Sequence, residues 1–207
     1  VAANYVKATD FILQGQNVRG VTAEDVLSGE TLDIRAKMTI TTAGPWINNL
    51  LGRINSKYKS QPPFRLSTAM NLVVDKKLSE GFAFGAPSKK EFKDQDAVIS
   101  KGSRLLFVVP WRGYSLVGTE HKPYHGDPDD FRVTEEDIQT FLNEVNTAVP
   151  AAKLERKNVV HVLSGLLPMS AVNPETGDVT IEKHFKIIDH EMDDGIGGLL
   201  SVLTVKY

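Results

Sequence analysis

The sequence contains no cysteine among its 207 residues. This absence excludes disulfides, thiolate metal sites, iron–sulfur clusters and cysteine nucleophiles. A charge excess of one sign is also lacking, because 24 basic residues stand against 26 acidic residues and leave a formal net charge of −2. No basic excess is present to drive binding to nucleic acid or to an anionic membrane, and we expect no nucleic-acid partner.

Long hydrophobic runs and several well-known motifs are missing as well. No apolar stretch approaches the roughly 18 residues that span a bilayer, and no signal peptide is visible. The sequence lacks G-x-G-x-x-G, G-x-x-x-x-G-K-[ST], G-x-S-x-G and H-E-x-x-H. The nearest histidine pair, His121 and His125, is interpreted as two solvated loop residues, and we predict no metal site.

The composition is otherwise that of a folded protein, with 41% hydrophobic and 24% charged residues. The chain begins with Val1 inside a strand-like segment and ends with an apolar run, 199–207, that has no turn or cap. We therefore expect an internal segment of a larger protein, and a natural chain after processing is the alternative.

Strand patterns dominate the sequence. Residues 1–42 resemble a β-meander, in which Leu32, Ile34, Ala36, Met38 and Ile40 alternate at period two and predict a strand with one buried face. A hairpin is predicted around the turn Arg112-Gly113. Further strands are predicted over 70–74, 159–163 and 199–205, and a loop over 122–133. Because strands dominate and helices are few, we predict an α+β fold.

Two helices are predicted, on either side of a polar, proline-containing segment, 55–66, that is a candidate domain border. The first follows Gly44-Pro45, and the second opens at Thr134 with a capping box to Asp137 and ends before Pro150. Their apolar stripes are Trp46, Ile47, Leu50, Leu51 and Ile54 in the first helix, and Ile138, Phe141, Leu142 and Val145 in the second.

The segment Ala43-Gly44-Pro45 has a chemical rationale of its own, because it ends a strand and opens a helix. Free backbone N–H groups at a helix N-terminus, beside a glycine that permits close approach, suit an anionic or polar ligand. A plain strand–helix turn is the alternative.

Five segments, taken in order, resemble FAD-dependent glycerol-3-phosphate dehydrogenases. They are Thr42-Ala43-Gly44-Pro45-Trp46, Phe107-Val108-Val109-Pro110-Trp111, the pair Leu116-Val117-Gly118-Thr119 and Tyr124-His125-Gly126-Asp127-Pro128, Ser164-Gly165-Leu166-Leu167-Pro168, and the strand 199–206. The order and spacing hold over nearly the whole chain.

The resemblance implies a fold of the D-amino-acid-oxidase type, with a mixed, largely antiparallel sheet and a few flanking helices. It implies FAD-domain strands at 1–45, a substrate-binding (cap) domain at 46–195 and a returning FAD-domain strand at 196–207. In such enzymes the G-x-G-x-x-G lies before everything seen here, so we expect this segment alone to be inactive and without flavin. The resemblance places Ala43, Gly44 and Pro45 beside FAD and makes Lys206 the catalytic contact to the substrate.

The implied reaction is the oxidation of sn-glycerol 3-phosphate to dihydroxyacetone phosphate, with electrons passing from FAD to a quinone or another acceptor. The implied location is the cytoplasm, with peripheral attachment to the inner face of the membrane as an open alternative. Two other functions also stay open: a related flavin oxidoreductase that acts on another hydroxy or amino acid, and a non-catalytic binding domain.

Several residues depart from the family pattern at positions that bear on substrate binding. Asn71 replaces a histidine, and an amide cannot act as a general base, although it can bind a hydroxyl or phosphate oxygen. Leu167 replaces an arginine that relatives use on the phosphate, and Lys183 stands near the position of a second arginine. Glu120 and His121 stand where the family has threonine and aspartate. We predict substrate contacts from Asn71 and Lys183.

Overall fold

The computed structural model describes residues 2–88, 104–174 and 177–203. These residues form two compact units, one made of the chain up to Phe64 and from Glu182 onward, the other running from Arg65 to Ile181. The first boundary between the units, between Phe64 and Arg65, falls inside the polar segment 55–66. It lies beyond the border that the resemblance placed after residue 45, and the assignment of the domains to FAD and substrate stays a prediction.

Twelve strands and four helices are present in the described residues. The strands are β1 (Val6–Gln14), β2 (Asn17–Asp25), β3 (Thr31–Arg35), β4 (Thr39–Thr41), β5 (Arg65–Val74), β6 (Phe84–Pro87), β7 (Leu105–Trp111), β8 (Tyr114–Tyr124), β9 (Val159–Val172), β10 (Val179–Ile181), β11 (Lys186–Asp189) and β12 (Leu199–Leu203). The helices are α1 (Ile47–Ile54), α2 (Lys57–Ser60), α3 (Glu135–Ala148) and α4 (His190–Asp194). Most strand pairs are antiparallel and helices are few, which confirms the predicted α+β class.

The first unit contains two three-stranded sheets. One is the antiparallel meander β1-β2-β3, as predicted. In the other, of order β11-β12-β4, β12 runs parallel to β4. Ile47 and Leu51 of α1 pack with Phe11, Val18 and Leu199 in the core of this unit. The stripe predicted for α1 is confirmed there, except that Trp46 precedes the helix and is 44% exposed.

The period-two run from Leu32 to Ile40 is not one strand with a buried face, and that prediction is wrong. The run is divided between β3 and β4, which belong to different sheets. Every residue of β3 is exposed, so neither face of this strand is covered, and Leu32 and Ile34 remain in contact with solvent. Met38 and Ile40 are exposed as well.

The second unit is a six-stranded antiparallel sheet of order β10-β9-β5-β8-β7-β6 with α3 packed on one face. Leu72, Val108 and Val117 of the sheet lie in one core with Phe141 and Leu142 of the helix. The predicted stripe of α3 is buried throughout.

The predicted capping box of α3 is also confirmed. The Thr134 hydroxyl accepts from the Asp137 N–H at 3.2 Å, and the Asp137 carboxylate accepts from the Thr134 N–H at 2.9 Å. The predicted hairpin is present as well, with Arg112 and Gly113 at positive φ in its turn.

Several strands are longer than their apolar patterns predicted. β5 begins at Arg65 rather than at residue 70, and it passes through Ser67, which is fully buried with its hydroxyl donating to the Thr68 carbonyl at 2.8 Å. β8 continues to Tyr124, so the loop predicted from residue 122 is wrong over its first residues. In the described part of the chain, no helix is long and apolar enough to cross a membrane.

Candidate functional site

The sheet face turned away from α3 carries Asn71. Met70 and Leu72, the neighbours of Asn71 on β5, belong to the core under α3, and side chains alternate along a strand. Asn71 therefore points to the opposite face. We call this surface the Asn71 face and define it by Ala69, Asn71, Gly118, His121, Leu163 and Leu167.

The amide of Asn71 is held in place over a glycine. Its Oδ1 accepts a hydrogen bond from the Thr119 hydroxyl at 2.9 Å. A Cβ added to Gly118, the residue paired with Asn71 on β8, would lie only 1.6 Å from that Oδ1. The amide Nδ2 has no hydrogen-bond partner among the described residues. It is thus a fixed donor, available to a hydroxyl or phosphate oxygen.

A β-bulge sits beside Asn71. Met70 pairs with Glu120 while Asn71 pairs with Gly118, so Thr119 is an extra residue on β8. The extra residue reverses the alternation of side chains beyond it. Glu120 consequently turns toward α3, where it is 3% exposed and 3.6 Å from the Lys122 ammonium, and His121 turns to the Asn71 face.

His121 lies in a strand and is half-buried, so its interpretation as a solvated loop residue is wrong. Its Nδ1 lies 3.2 Å from the Thr68 carbonyl, which can only accept, so Nδ1 carries the proton. Burial lowers the pKa of His121 below its usual 6.5; the Thr68 hydrogen bond opposes this shift and the charge of Arg104 adds to it. The imidazole is therefore neutral at pH 7, with a lone pair on Nε2.

Leu167 shares this face with Asn71. Leu163 pairs with Asn71 and Leu167 pairs with Ser67, in unbroken register along β9. The replaced arginine and the replaced histidine of the family pattern thus fall on one surface, where Leu163 and Leu167 supply apolar contacts instead of charge.

The segment Ala43-Gly44-Pro45 forms the turn between β4 and α1 in the first unit. Gly44 adopts a φ of +54°, and the Ala43 carbonyl accepts from the Trp46 N–H at 3.2 Å. Because Thr41 of β4 pairs in parallel with Ser201 of β12, the turn follows the carboxyl end of a parallel strand pair. Ligands of open sheets commonly bind at such an end.

The family model described as "DAO: FAD dependent oxidoreductase" matches residues 2–192 of the chain. This chain belongs to the FAD-dependent oxidoreductase family. It is similar to the alpha-glycerophosphate oxidase of Lactococcus lactis subsp. lactis, at 27% identity over 172 residues, covering 83% of this chain and 27% of the relative. It is also similar to that of Streptococcus pneumoniae serotype 4, at 28% identity over 206 residues, covering 98% of this chain and 32% of the relative.

A solved structure agrees with these matches. The glycerol-3-phosphate dehydrogenase from Bacillus halodurans, complexed with FAD, superposes with a TM-score of 0.71 at 27% identity. The alignment covers 100% of this chain and 36% of that protein. The FAD-dependent oxidoreductase chain therefore spans about a third of the length of its relatives.

The backbone of the turn at Gly44 is open on one side, because a Cβ built on Gly44 would meet nothing within 4 Å. The glycine-rich loop that holds a dinucleotide pyrophosphate is not in this sequence. The contact of Ala43, Gly44 and Pro45 with FAD stays a prediction.

A buried polar cluster contacts β12 in the first unit, and no sequence motif predicted it. The His190 Nδ1 lies 2.6 Å from the Asp194 carboxylate, and the His190 Nε2 lies 2.7 Å from the Ser201 hydroxyl. Tyr58 and Lys57 also donate to Asp194. Burial opposes ionisation of Asp194, but the hydrogen bonds from Lys57, Tyr58 and His190 outweigh burial and lower the pKa of this carboxyl. The pKa of Tyr58 is raised, mainly by burial and then by the hydrogen bond to Asp194.

The other predicted site residues belong to the first unit or lie outside the described residues. Lys183 is exposed in the segment between β10 and β11, in the first unit, and its N–H donates to the Glu182 carboxylate at 3.0 Å. Lys206 lies outside the described residues. Within the ranges that the structure describes, no group of three or more histidine, aspartate or glutamate side chains is placed to hold a metal.

Proposed function

We propose that this chain is part of a flavoprotein that oxidises sn-glycerol 3-phosphate to dihydroxyacetone phosphate. The observation that carries the proposal is the Asn71 amide, fixed over Gly118 by Thr119 and presented on one face with His121. The names of the relatives, which are glycerophosphate oxidases and dehydrogenases, support the choice of substrate.

The proposed role of the Asn71 face is to bind the carbon chain and the oxygens of the substrate. The Asn71 Nδ2 donates to a hydroxyl or phosphate oxygen, and Leu163 and Leu167 cover the carbon chain. Lys206 and Lys183 are proposed to supply positive charge to the substrate. Because Leu167 replaces an arginine, one bidentate contact is missing, which removes roughly 1.5–3 kcal/mol of charge-assisted hydrogen bonding.

The proposed cofactor of the whole protein is FAD, which, when bound, accepts the hydride that leaves C2 of the alcohol. Ala43, Gly44 and Pro45 are proposed to line its ring. In this proposal the first unit belongs to the FAD-binding domain and the second unit is the substrate domain.

The electron acceptor and the location complete the proposal. We propose that a quinone or another acceptor takes the electrons from the reduced protein, in the cytoplasm or on the inner face of the membrane. Reoxidation of the reduced protein by a soluble quinone, compared with reoxidation by air, distinguishes the acceptors.

A second function is favoured by the replacements at Asn71 and Leu167, which both change the substrate surface. This alternative is a related flavoprotein that oxidises another hydroxy or amino acid. An anaerobic comparison of flavin bleaching by glycerol 3-phosphate, glycerol, lactate and D-alanine in the full-length protein separates the two. Bleaching by glycerol 3-phosphate at the lowest concentration supports the proposal. Preference for lactate or D-alanine contradicts it.

A further inference from the structure

Oxidation of an alcohol needs a group that takes the hydroxyl proton, and Asn71 cannot serve. We infer that the Nε2 of His121 accepts this proton, an inference that rests on the proposed function. The imidazole would then be supplied from β8 rather than from the position of Asn71 on β5.

The position of His121 follows from the bulge at Thr119. His121 pairs with Ala69, which is two residues from Asn71 on the same face of β5. Diagonal neighbours of this kind have their Cβ atoms about 7–8 Å apart, within reach of long side chains and of one small molecule. A three-carbon substrate can therefore contact the Asn71 amide and the imidazole at once.

The orientation of the ring also suits a base. The His121 Nδ1–H donates to the Thr68 carbonyl, with 3.2 Å between Nδ1 and the oxygen, so the basic nitrogen is Nε2. No described residue bonds to Nε2. The charged group whose field acts on His121 is Arg104, just before β7, and the guanidinium of Arg104 is itself bonded to Glu144 of α3. A nearby cation favours the neutral form of the ring, which is the form that accepts a proton.

One other histidine flanks Asn71. His161 on β9 pairs with Val73 and lies on the other diagonal. It is exposed, and neither of its ring nitrogens has a hydrogen-bond partner in the described part of the chain. His161 lacks a hydrogen bond like the one from His121 to Thr68 that would fix the orientation of its ring. A substitution of His161 is therefore the matched control for a substitution of His121.

The reaction balances with one proton and one hydride. The O–H bond at C2 breaks and its proton goes to the His121 Nε2. The electron pair of that bond becomes the second bond of the ketone, and the hydrogen on C2 would leave as hydride, for which FAD would supply the two-electron acceptor when bound. In reverse, the protonated Nε2 donates to the ketone oxygen of bound dihydroxyacetone phosphate.

The test uses the FAD-loaded full-length protein with His121→Gln and, for comparison, His161→Gln. Stopped-flow bleaching by glycerol 3-phosphate gives the rate of the chemical step. We expect His121→Gln to slow it about 10²- to 10⁴-fold. We also expect the substrate dissociation constant to change far less, and the wild-type fall in rate at acid pH to disappear. Calorimetry in buffers of different ionisation enthalpy should show more proton uptake on binding dihydroxyacetone phosphate in the wild type than in His121→Gln, because the ketone oxygen accepts from the protonated ring.

The outcomes distinguish failure of the proposed function from failure of the role inferred for His121. A wild-type protein that glycerol 3-phosphate does not bleach overturns the proposed function. A wild type that bleaches, together with a His121→Gln variant of near-normal rate or unchanged proton uptake, overturns the role of His121 alone. Loss of the rate and of the proton uptake in His161→Gln instead would transfer the role to that residue and contradict the inference.

Discussion

Asn71 and Gly118 face each other across β5 and β8 so closely that a Cβ on Gly118 would lie 1.6 Å from the Asn71 Oδ1. Glycine is therefore needed at position 118 to make room for Asn71. Backbone conformation is not the reason, since Gly118 does not have a positive φ. The space above Gly118 holds the amide against the Thr119 hydroxyl. This contact sets the direction of the Asn71 amide, the substrate contact predicted on this sheet.

Gly118→Ala tests that contact. The Asn71 amide is the end of a side chain held by the Thr119 hydrogen bond, so we expect the added Cβ to displace the amide rather than to unfold the sheet. The KM for glycerol 3-phosphate should rise about tenfold, as expected for one lost hydrogen bond, with a stability loss of about 1–3 kcal/mol from overpacking. Steady-state kinetics and thermal denaturation measure the two effects. Gly81→Ala, where an added Cβ meets nothing within 4 Å, is the control, and equal KM values in both variants would refute the role of the contact.

Thr134→Ala removes the cap of α3. The expected cost near pH 7 is about 0.5–2 kcal/mol of local stability, measured by hydrogen exchange of the first-turn amides. Burial opposes ionisation of Asp137, but hydrogen bonds from Thr134 and Lys122 lower its pKa from 3.8 to about 2. Because the folded pKa is depressed, this stabilisation is present above about pH 4 and is lost as the pH falls toward 2.

The effect of Thr134→Ala should accordingly shrink at acid pH. Thr147→Ala on the exposed side of the same helix is the matched control, and we expect it to change stability by less than about 0.5 kcal/mol. An effect of Thr134→Ala that is the same at pH 7 and pH 2.5 would argue against the coupling of this cap to Asp137.

Ser201→Ala tests the buried cluster around His190. The substitution leaves the Nε2 of a histidine that is 1% exposed without its partner, and such an unsatisfied group costs about 1–3 kcal/mol. Hydrogen exchange of the β12 amides should show this loss. Ser56→Ala, at an exposed position without a side-chain cap bond, should leave the same amides unchanged. Equal protection of β12 in the two variants would mean that the cluster does not hold the strand.

Local patterns predicted the elements whose signals lie close together in the sequence. The capping box and stripe of α3 and the Arg112-Gly113 hairpin are of this kind, because a helix face or a two-residue turn is set by neighbours along the chain. The alternation at Leu32 and Ile34 gave a wrong prediction because burial depends on what covers a strand, and both faces of β3 are exposed.

The candidate site was predicted only in part, for a physical reason. Asn71 was found through the resemblance, but His121 was not assigned to the site. Alternation from the buried Val117 puts residue 121 on the core side of a regular strand. One extra residue at Thr119 reverses that assignment, and a bulge depends on pairing with β5, which is distant in the sequence. The buried Glu120 is the other consequence of the same shift.

The most direct test of the account is an anaerobic titration of the FAD-loaded full-length protein with glycerol 3-phosphate. The flavin absorbance is followed in the wild type, in Asn71→Ala and in the control Asn143→Ala, on the exposed side of α3. The account predicts rapid bleaching at submillimolar substrate in the wild type and the control, and a half-saturating concentration about tenfold higher in Asn71→Ala. A wild-type flavin that dithionite reduces but glycerol 3-phosphate does not would contradict the account.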